Sequence, residues 1–180
     1  KLARKVPASI LFVAEGSKPN LGKIVTAVDF SQNSRMALEE AIELASASKS
    51  DEPISLLHTF RLPLGYYKTG KTEEEFADIV KINAEKKFNA LLNEIDTKGI
   101  DIKATYLRNK ELDTYQAIYK FASEQQASMI VIGGRGRTNA AALFLGSTVE
   151  KLIRIDMDIP LLVVKDKKAT FGLLELLKKL

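Results

Sequence analysis

Met129-Ile130-Val131-Ile132-Gly133-Gly134-Arg135-Gly136-Arg137-Thr138-Asn139, then Ala140 to Leu145, then Gly146-Ser147-Thr148-Val149-Glu150 is the stretch that decides the fold. Four consecutive apolar residues with no polar alternation predict a strand buried on both faces, as in a parallel sheet covered by helices. The glycines that follow permit turning and let a ligand approach backbone N–H groups closely. Ser147-Thr148-Val149-Glu150 has the spacing of a capping box and predicts a helix running toward Arg154. Strand, glycine loop and helix together make one βα unit.

Outward from that unit the alternation repeats. Pro160 resets the chain into a last strand, Leu161-Leu162-Val163-Val164. Upstream, Ala117, Ile118, Phe121 and Ala122 share a helical face, preceded by a strand from Ile102 to Leu107. Thr72-Glu73-Glu74-Glu75 is a capping box. Phe88, Leu91, Leu92 and Ile95 then follow at i, i+3, i+4, i+7, predicting a long amphipathic helix that ends near Gly99. A strand at Ile54 to Phe60, an alanine-rich helix from Asn33 to Ser48 and an opening strand at Lys23 to Val28 complete the pattern. Five short apolar strands separated by helices predict an α/β fold: a doubly wound five-stranded parallel sheet with helices on both faces. Ligands of such sheets bind beyond the carboxyl ends of the strands, where the strand order reverses.

Bulk properties narrow the field. With 46% hydrophobic and 28% charged residues the chain has the composition of a folded globular protein. It has no cysteine, which excludes disulfides and thiolate metal sites and suits a reducing, cytoplasmic setting. The net charge of +4 is scattered along the chain, which argues against nucleic acid as a partner. No apolar run approaches the roughly 20 residues of a membrane span, and Ile10-Leu11-Phe12-Val13 is too short for a signal core.

Taken alone, the glycines have two readings. Strand exits use glycine for turning, and Ser147 is accounted for by capping. Alternatively, a glycine turn facing a helix N-terminus makes a phosphate cradle. Neither a Walker loop nor a dinucleotide fingerprint is present. The spacing Gly133, two residues, Gly136, nine residues, Gly146-Ser147 resembles the Gly-2x-Gly-9x-Gly-Ser/Thr motif of the ATP-binding branch of universal stress proteins. Ala27-Val28-Asp29-Phe30-Ser31 resembles that family's first strand end, Leu56-Leu57-His58 its second strand and Ile159 to Val164 its last. The likeness spans about residues 22 to 166.

The resemblance implies a nucleotide site. Asp29 would accept a hydrogen bond from the ribose, and backbone groups at Thr59 would read the adenine edge. Gly133 and Gly136 would lie along the ribose and phosphates. Gly146, Ser147 and Thr148 would hold the phosphates of ATP, with Mg²⁺ arriving on the nucleotide. Without the resemblance, Asp29 reads as a cap on the following helix. One departure is Arg108-Asn109-Lys110-Glu111-Leu112-Asp113, where the family commonly has glycine and proline. The loop from Arg61 to Lys71 reads as a solvated connector or as a lid. Arg135 and Arg137 read as phosphate partners or as solvated side chains.

His58 is the sole histidine, so it is expected to be a packed, hydrogen-bonded core residue rather than part of a catalytic or metal constellation. No activated nucleophile is recognisable, so no catalytic or metal-ligating residues are assigned, and at most slow ATP hydrolysis or autophosphorylation is expected. The resemblance thus implies an ATP-binding regulatory module in stress response. The alternative is a dimerisation or interaction domain of the same fold that binds no nucleotide. An ATP-consuming enzyme of the adenine nucleotide α-hydrolase group would need a Ser-Gly-Gly loop, and Asp29-Phe30-Ser31-Gln32 is not one.

Three segments are expected: an N-terminal strand segment (1–20), the domain itself (21–168) and an amphipathic tail (169–180) with Leu173, Leu176, Leu177 and Leu180 on one stripe. Lys1 to Pro7 followed by Ile10 to Val13 echoes Lys151 to Arg154 followed by Ile159 to Val164. That echo is either chance or the remnant of a preceding repeat. The family's units pair through their last strands, which implies a homodimer or a tandem pair. Ser9 to Val13 is accordingly expected antiparallel beside Leu161 to Val164, within one chain or exchanged between two.

Overall fold

The computed structural model describes residues 8–15, 17, 20–48, 51–135, 145–155 and 157–165. Gly136, Arg137 and the 169–180 tail lie outside the described residues. In chain order the elements are β1 (Ile10–Phe12), β2 (Ile24–Ala27), α1 (Gln32–Ser48), β3 (Ile54–Phe60), α2 (Glu73–Leu92), β4 (Ile102–Arg108), α3 (Thr114–Glu124), β5 (Met129–Gly133), α4 (Ser147–Arg154) and β6 (Leu161–Val164). They build a 6-stranded sheet in the order β1-β6-β5-β2-β3-β4.

Strands β2 to β6 are mutually parallel, with Val25 opposite Ser55 on one side and Ile130 on the other. The alternation of strand residues sorts them into two cores. Ile54, Leu56, Met129 and Val131 face α1, where Leu38, Ala41 and Ile42 are almost fully buried. Val25, Leu57, Ile130 and Leu161 face α3 and α4, meeting Ile118, Phe121, Val149 and Leu152. Each such Leu or Ile contributes on the order of 1.5–3 kcal/mol by leaving water, so the helices dock as a direct result of strand periodicity.

The sheet carries one strand more than the five parallel ones expected. β1 lies antiparallel beside β6, with Ile10 opposite Val163 and Phe12 opposite Leu161, so the expected pairing occurs within one chain. Helix α2 begins as predicted: Glu75 N–H donates to Thr72 Oγ1 at 3.2 Å, and Thr72 N–H to Glu75 Oε2 at 2.8 Å. It ends earlier than the apolar spacing suggested, at Leu92 rather than near Gly99. Glu94 and Ile95 N–H bond three residues back, to Leu91 and Leu92, which tightens the chain out of the helix. Lys98 and Gly99 then turn it with φ of 53° and 77°. Ile95 still packs on the core, so the spacing located what is buried although not where the helix stops.

Candidate functional site

The chain leaves β2 for α1 on one side of the sheet and leaves β5 for α4 on the other. The strand order therefore reverses between β2 and β5, and a crevice opens at their carboxyl ends. A cavity of about 290 Å³ occupies it. Among the residues lining this cavity are Asp29, Thr59, Gly133, Gly146, Ser147 and Thr148. All the described residues of the expected nucleotide site are thus brought together. Apolar walls are supplied by Ala27, Leu57, Ile118 and Ile132, and Arg135 also reaches the cavity.

At the end of β2, Asp29 Oδ1 accepts the Ser31 N–H two residues on, at 3.0 Å. Ser34 N–H donates to Ser31 Oγ at 3.3 Å, so Ser31, not Asp29, caps α1. Phe30, between them, adopts φ of 63°, a left-handed conformation that costs an ordinary residue roughly 1–2 kcal/mol. His58 offsets that cost from the neighbouring strand. Its ring lies 4.6 Å from that of Phe30, and its Nδ1 is 2.7 Å from the Val28 carbonyl. A carbonyl can only accept, so Nδ1 carries the proton. The expectation of a packed, hydrogen-bonded core histidine holds, and the structure adds what it holds: the residues on both sides of Asp29.

β3 runs on past the end of β2, to Phe60. Val28 N–H donates to the Leu57 carbonyl at 2.9 Å, so the backbone groups of Leu57, and of Thr59 two residues later, point toward β2. β2 ends at Ala27, and the Val28 carbonyl is engaged by His58. The N–H and C=O of Thr59 therefore face the crevice.

The glycines divide by cause. A Cβ added at Gly133 would stand 2.6 Å from both the carbonyl carbon and oxygen of Asn33 and 2.9 Å from Ser34 N, so glycine here lets the start of α1 pack on β5. Gly146 has φ of −64° and ψ of 151°, torsions open to any residue, so no turn requires it. Its N–H donates to the Gly134 carbonyl at 2.8 Å and is thereby committed.

Gly146 is also the N-cap of α4, with no side-chain cap bond, which corrects the capping box expected at Ser147. Ser147 is instead the first helical residue, so capping does not account for it. The first intrahelical bond is Glu150 N–H to the Gly146 carbonyl at 3.0 Å. The N–H groups of Ser147, Thr148 and Val149 therefore belong to the orphan first turn, whose dipole end favours an anion. Against Gly134, burial and the neighbouring Arg135 charge push the Lys165 ammonium below its usual pKa.

The rim departs from the family pattern without being loose. Arg108 and Lys110 pair with Glu73, and Arg61 Nη2 donates to the Leu112 carbonyl at 2.7 Å. Lys151 Nζ meets Asp113 Oδ2 at 2.6 Å, linking α4 to the start of α3 across one side of the cavity. Residues 62–71 contain a short turn, Tyr66–Thr69, between Gly65 and Gly70. None of them lines the cavity, and the Tyr66 ring packs near those of Tyr67 and Phe76. Among the described residues there is no cluster of His, Asp or Glu that could hold a metal ion, and no helix long and apolar enough to cross a membrane.

Comparison with known proteins agrees with this architecture. The chain is 28% identical over 162 residues to the universal stress protein MJ0577 of Methanocaldococcus jannaschii, covering 82% of this chain and 96% of that one. The solved structure of MJ0577 superposes with a TM-score of 0.65 at 25% identity, over 81% of this chain and 96% of that one. The universal stress protein YxiE of Bacillus subtilis is 26% identical, covering 79% of this chain and 98% of that one. A universal stress protein solved in complex with cAMP shares the fold at 19% identity, with a TM-score of 0.50, over 80% of this chain and 96% of that one. The sequence profile of the universal stress protein family matches residues 20–165, and the chain belongs to that family.

Proposed function

We propose that this chain is an ATP-binding regulatory module of the stress response. The observation that carries the reading is the crevice at the strand reversal. One end is apolar and bounded by Asp29 and the open backbone edge of Thr59, and the other is the orphan first turn of α4. That donor set suits adenosine at the first end and phosphates at the second. Asp29 takes a ribose hydroxyl and the Thr59 N–H and C=O take the adenine edge. Ser147 and Thr148 hold the phosphates through N–H and hydroxyl groups, with Arg135 adding charge.

Gly146 serves by keeping a side chain out of the phosphates' path, since its N–H is committed to Gly134. Gly136 is included on spacing alone. Mg²⁺ comes with the nucleotide, bound to phosphate oxygens. A fold neighbour solved with cAMP makes a nucleotide the natural first ligand to test. A cysteine-free chain suits the cytoplasm, where the proposal puts it. Association with a second copy or a preceding repeat runs along the β1–β6 side, with β1 kept in its own chain or exchanged.

The test is to denature protein purified from cells, identify released nucleotide by chromatography, and titrate ATP into stripped protein. Gly146→Asp sets a carboxylate among the phosphates and is expected to abolish binding in a folded protein. Equal ATP affinity in that variant contradicts the assignment and leaves the ligand-free interaction domain as the better reading. Phosphate release from bound ATP is expected to stay below the roughly 1–1000 per second of ordinary enzymes.

A further inference from the structure

A second depression, of about 470 Å³, opens at the carboxyl ends of β3 and β4, on the sheet face that carries α2. It meets the nucleotide crevice at Thr59 and Thr114, which line both, and is otherwise separate from it. Strand alternation explains the separation. Leu57 and the side chain of Thr59 face α3 and α4, whereas His58 and Phe60 face the other way and line the second depression.

Its chemistry is one-sided. Arg61 and Lys87 bring positive charge, Asn83 and Asn109 bring carboxamides, and no carboxylate lines it. Lys87 has no ion-pair partner among the described residues. Arg61 is steadied by the Leu112 carbonyl, which occupies one of its five N–H donors. The rings of Phe30, His58 and Phe60 give the depression an apolar, aromatic side.

Asn109 is the second, independent sign. It is only 5% exposed. Its Oδ1 accepts the Leu112 N–H at 3.1 Å, which fixes the orientation of the carboxamide. Nδ2 is then a buried donor with no acceptor among the described residues. Such a group costs about 1–3 kcal/mol unless something supplies the missing oxygen. Asn109 forms part of the wall, so the donor that lacks an acceptor belongs to a residue of the depression itself.

We propose that this depression binds a small organic anion, with its carboxylate or phosphate oxygens taken by Arg61, Lys87 and the Asn109 amide and its flat apolar part against the aromatic side. The proposal does not depend on ATP occupying the neighbouring crevice. Two sources of the charge are open, and the test separates them.

The intact chain is titrated with benzoate, phenyl phosphate and, as a neutral control of similar shape, benzyl alcohol. Amide NMR shifts are followed, including the side-chain amides of Asn83 and Asn109. Saturable shifts of those amides with benzoate or phenyl phosphate, and none with benzyl alcohol, are expected. Benzoate alone identifies a carboxylate ligand, phenyl phosphate alone a phosphate, and both a site for either. Lys87 is exposed on α2, so Lys87→Glu keeps the fold; it is expected to weaken the active probe at least tenfold while ATP titration is unchanged. Gly146→Asp, which disables the proposed phosphate cradle, is expected to leave probe binding intact, so failure of either site is read separately. Equal shifts with benzyl alcohol, shifts confined to residues 145–149, no saturable shift, or an unchanged dissociation constant in Lys87→Glu each overturn the proposal.

Discussion

Gly133 and Gly146 belong to one sequence motif, yet the structure gives a packing cause for Gly133 while the torsions of Gly146 require no glycine, and alanine at each separates packing from the proposed phosphate role. At Gly133 the added methyl would lie 2.6 Å from the Asn33 carbonyl carbon and oxygen and 2.9 Å from Ser34 N. Ordinary carbon contacts are about 3.5–4.0 Å, so α1 must back away from β5 by roughly 1 Å. Both partners are backbone, and neither can swing aside as a side chain would. Overpacking of this kind costs roughly 1–3 kcal/mol, and backbone on both sides puts Gly133→Ala toward the upper end, about 2–3 kcal/mol. For a chain of this length 1 kcal/mol is about 2–4 °C in Tm, so a fall of roughly 4–12 °C is expected.

Gly146→Ala meets no torsional barrier, and the stiffer unfolded chain favours it by about 0.4–1 kcal/mol. Alanine is a poorer N-cap than glycine, which offsets that gain, so Tm is expected to move little. ATP affinity is expected to fall about tenfold or more as the methyl enters the phosphates' path. Differential scanning calorimetry and ATP titration on both variants are the assays. A Gly133→Ala protein as stable as the parent, or a Gly146→Ala protein that loses Tm and keeps ATP, refutes the division.

Asp29→Asn keeps an oxygen for the Ser31 N–H and removes the charge, so Tm should hold while adenosine binds about tenfold more weakly, the loss of roughly 1.4 kcal/mol. Inorganic triphosphate should bind as before, and calorimetric titration of both ligands that finds triphosphate the more affected places Asp29 away from the nucleoside. The Asp113–Lys151 pair gives a pH dependence. The Lys151 ammonium holds the Asp113 carboxyl below its usual pKa, and the same bond raises Lys151 above its own. Asp113 thus stabilises the fold above its unfolded pKa of about 3.9 and loses that contribution as pH falls through its lower folded value. Lys151 contributes fully below about 10.4 and loses it as pH rises through its raised value. The Tm difference between the parent and Asp113→Asn should be constant from about pH 6 to 9 and close in acid below about pH 4; a gap that persists at the acid end excludes the ion pair as its cause.

What was legible in the sequence is what periodicity encodes. The strand at Met129 to Ile132 and the capping box at Thr72 follow from apolar spacing and local hydrogen-bond chemistry, and both are present. The antiparallel run of Ile10 to Phe12 beside Leu161 to Val163 was implied by the family resemblance rather than by spacing, and it is present too. Helix ends were less legible, because Ile95 obeys the helical spacing from within a tight turn.

The site was visible as a set of residues but not as a set of jobs. Sequence spacing treats Gly133 and Gly146 alike, although only the approach of Asn33, more than ninety positions away in the chain, makes the first a packing glycine. Ser147-Thr148-Val149-Glu150 has the letters of a capping box. The backbone starts its helix one residue earlier, at a glycine whose N–H the Gly134 carbonyl has already taken. His58 carries no motif at all, and its hold on Val28 and Phe30 exists only once β2 and β3 are side by side. Each of these jobs is a contact between segments distant in sequence, which local spacing does not record. A motif match therefore locates this crevice more firmly than it assigns the atoms within it. The N–H groups of Ser147, Thr148 and Val149, rather than the glycines that drew attention to them, are the donors that the first turn of α4 leaves without an intrahelical partner.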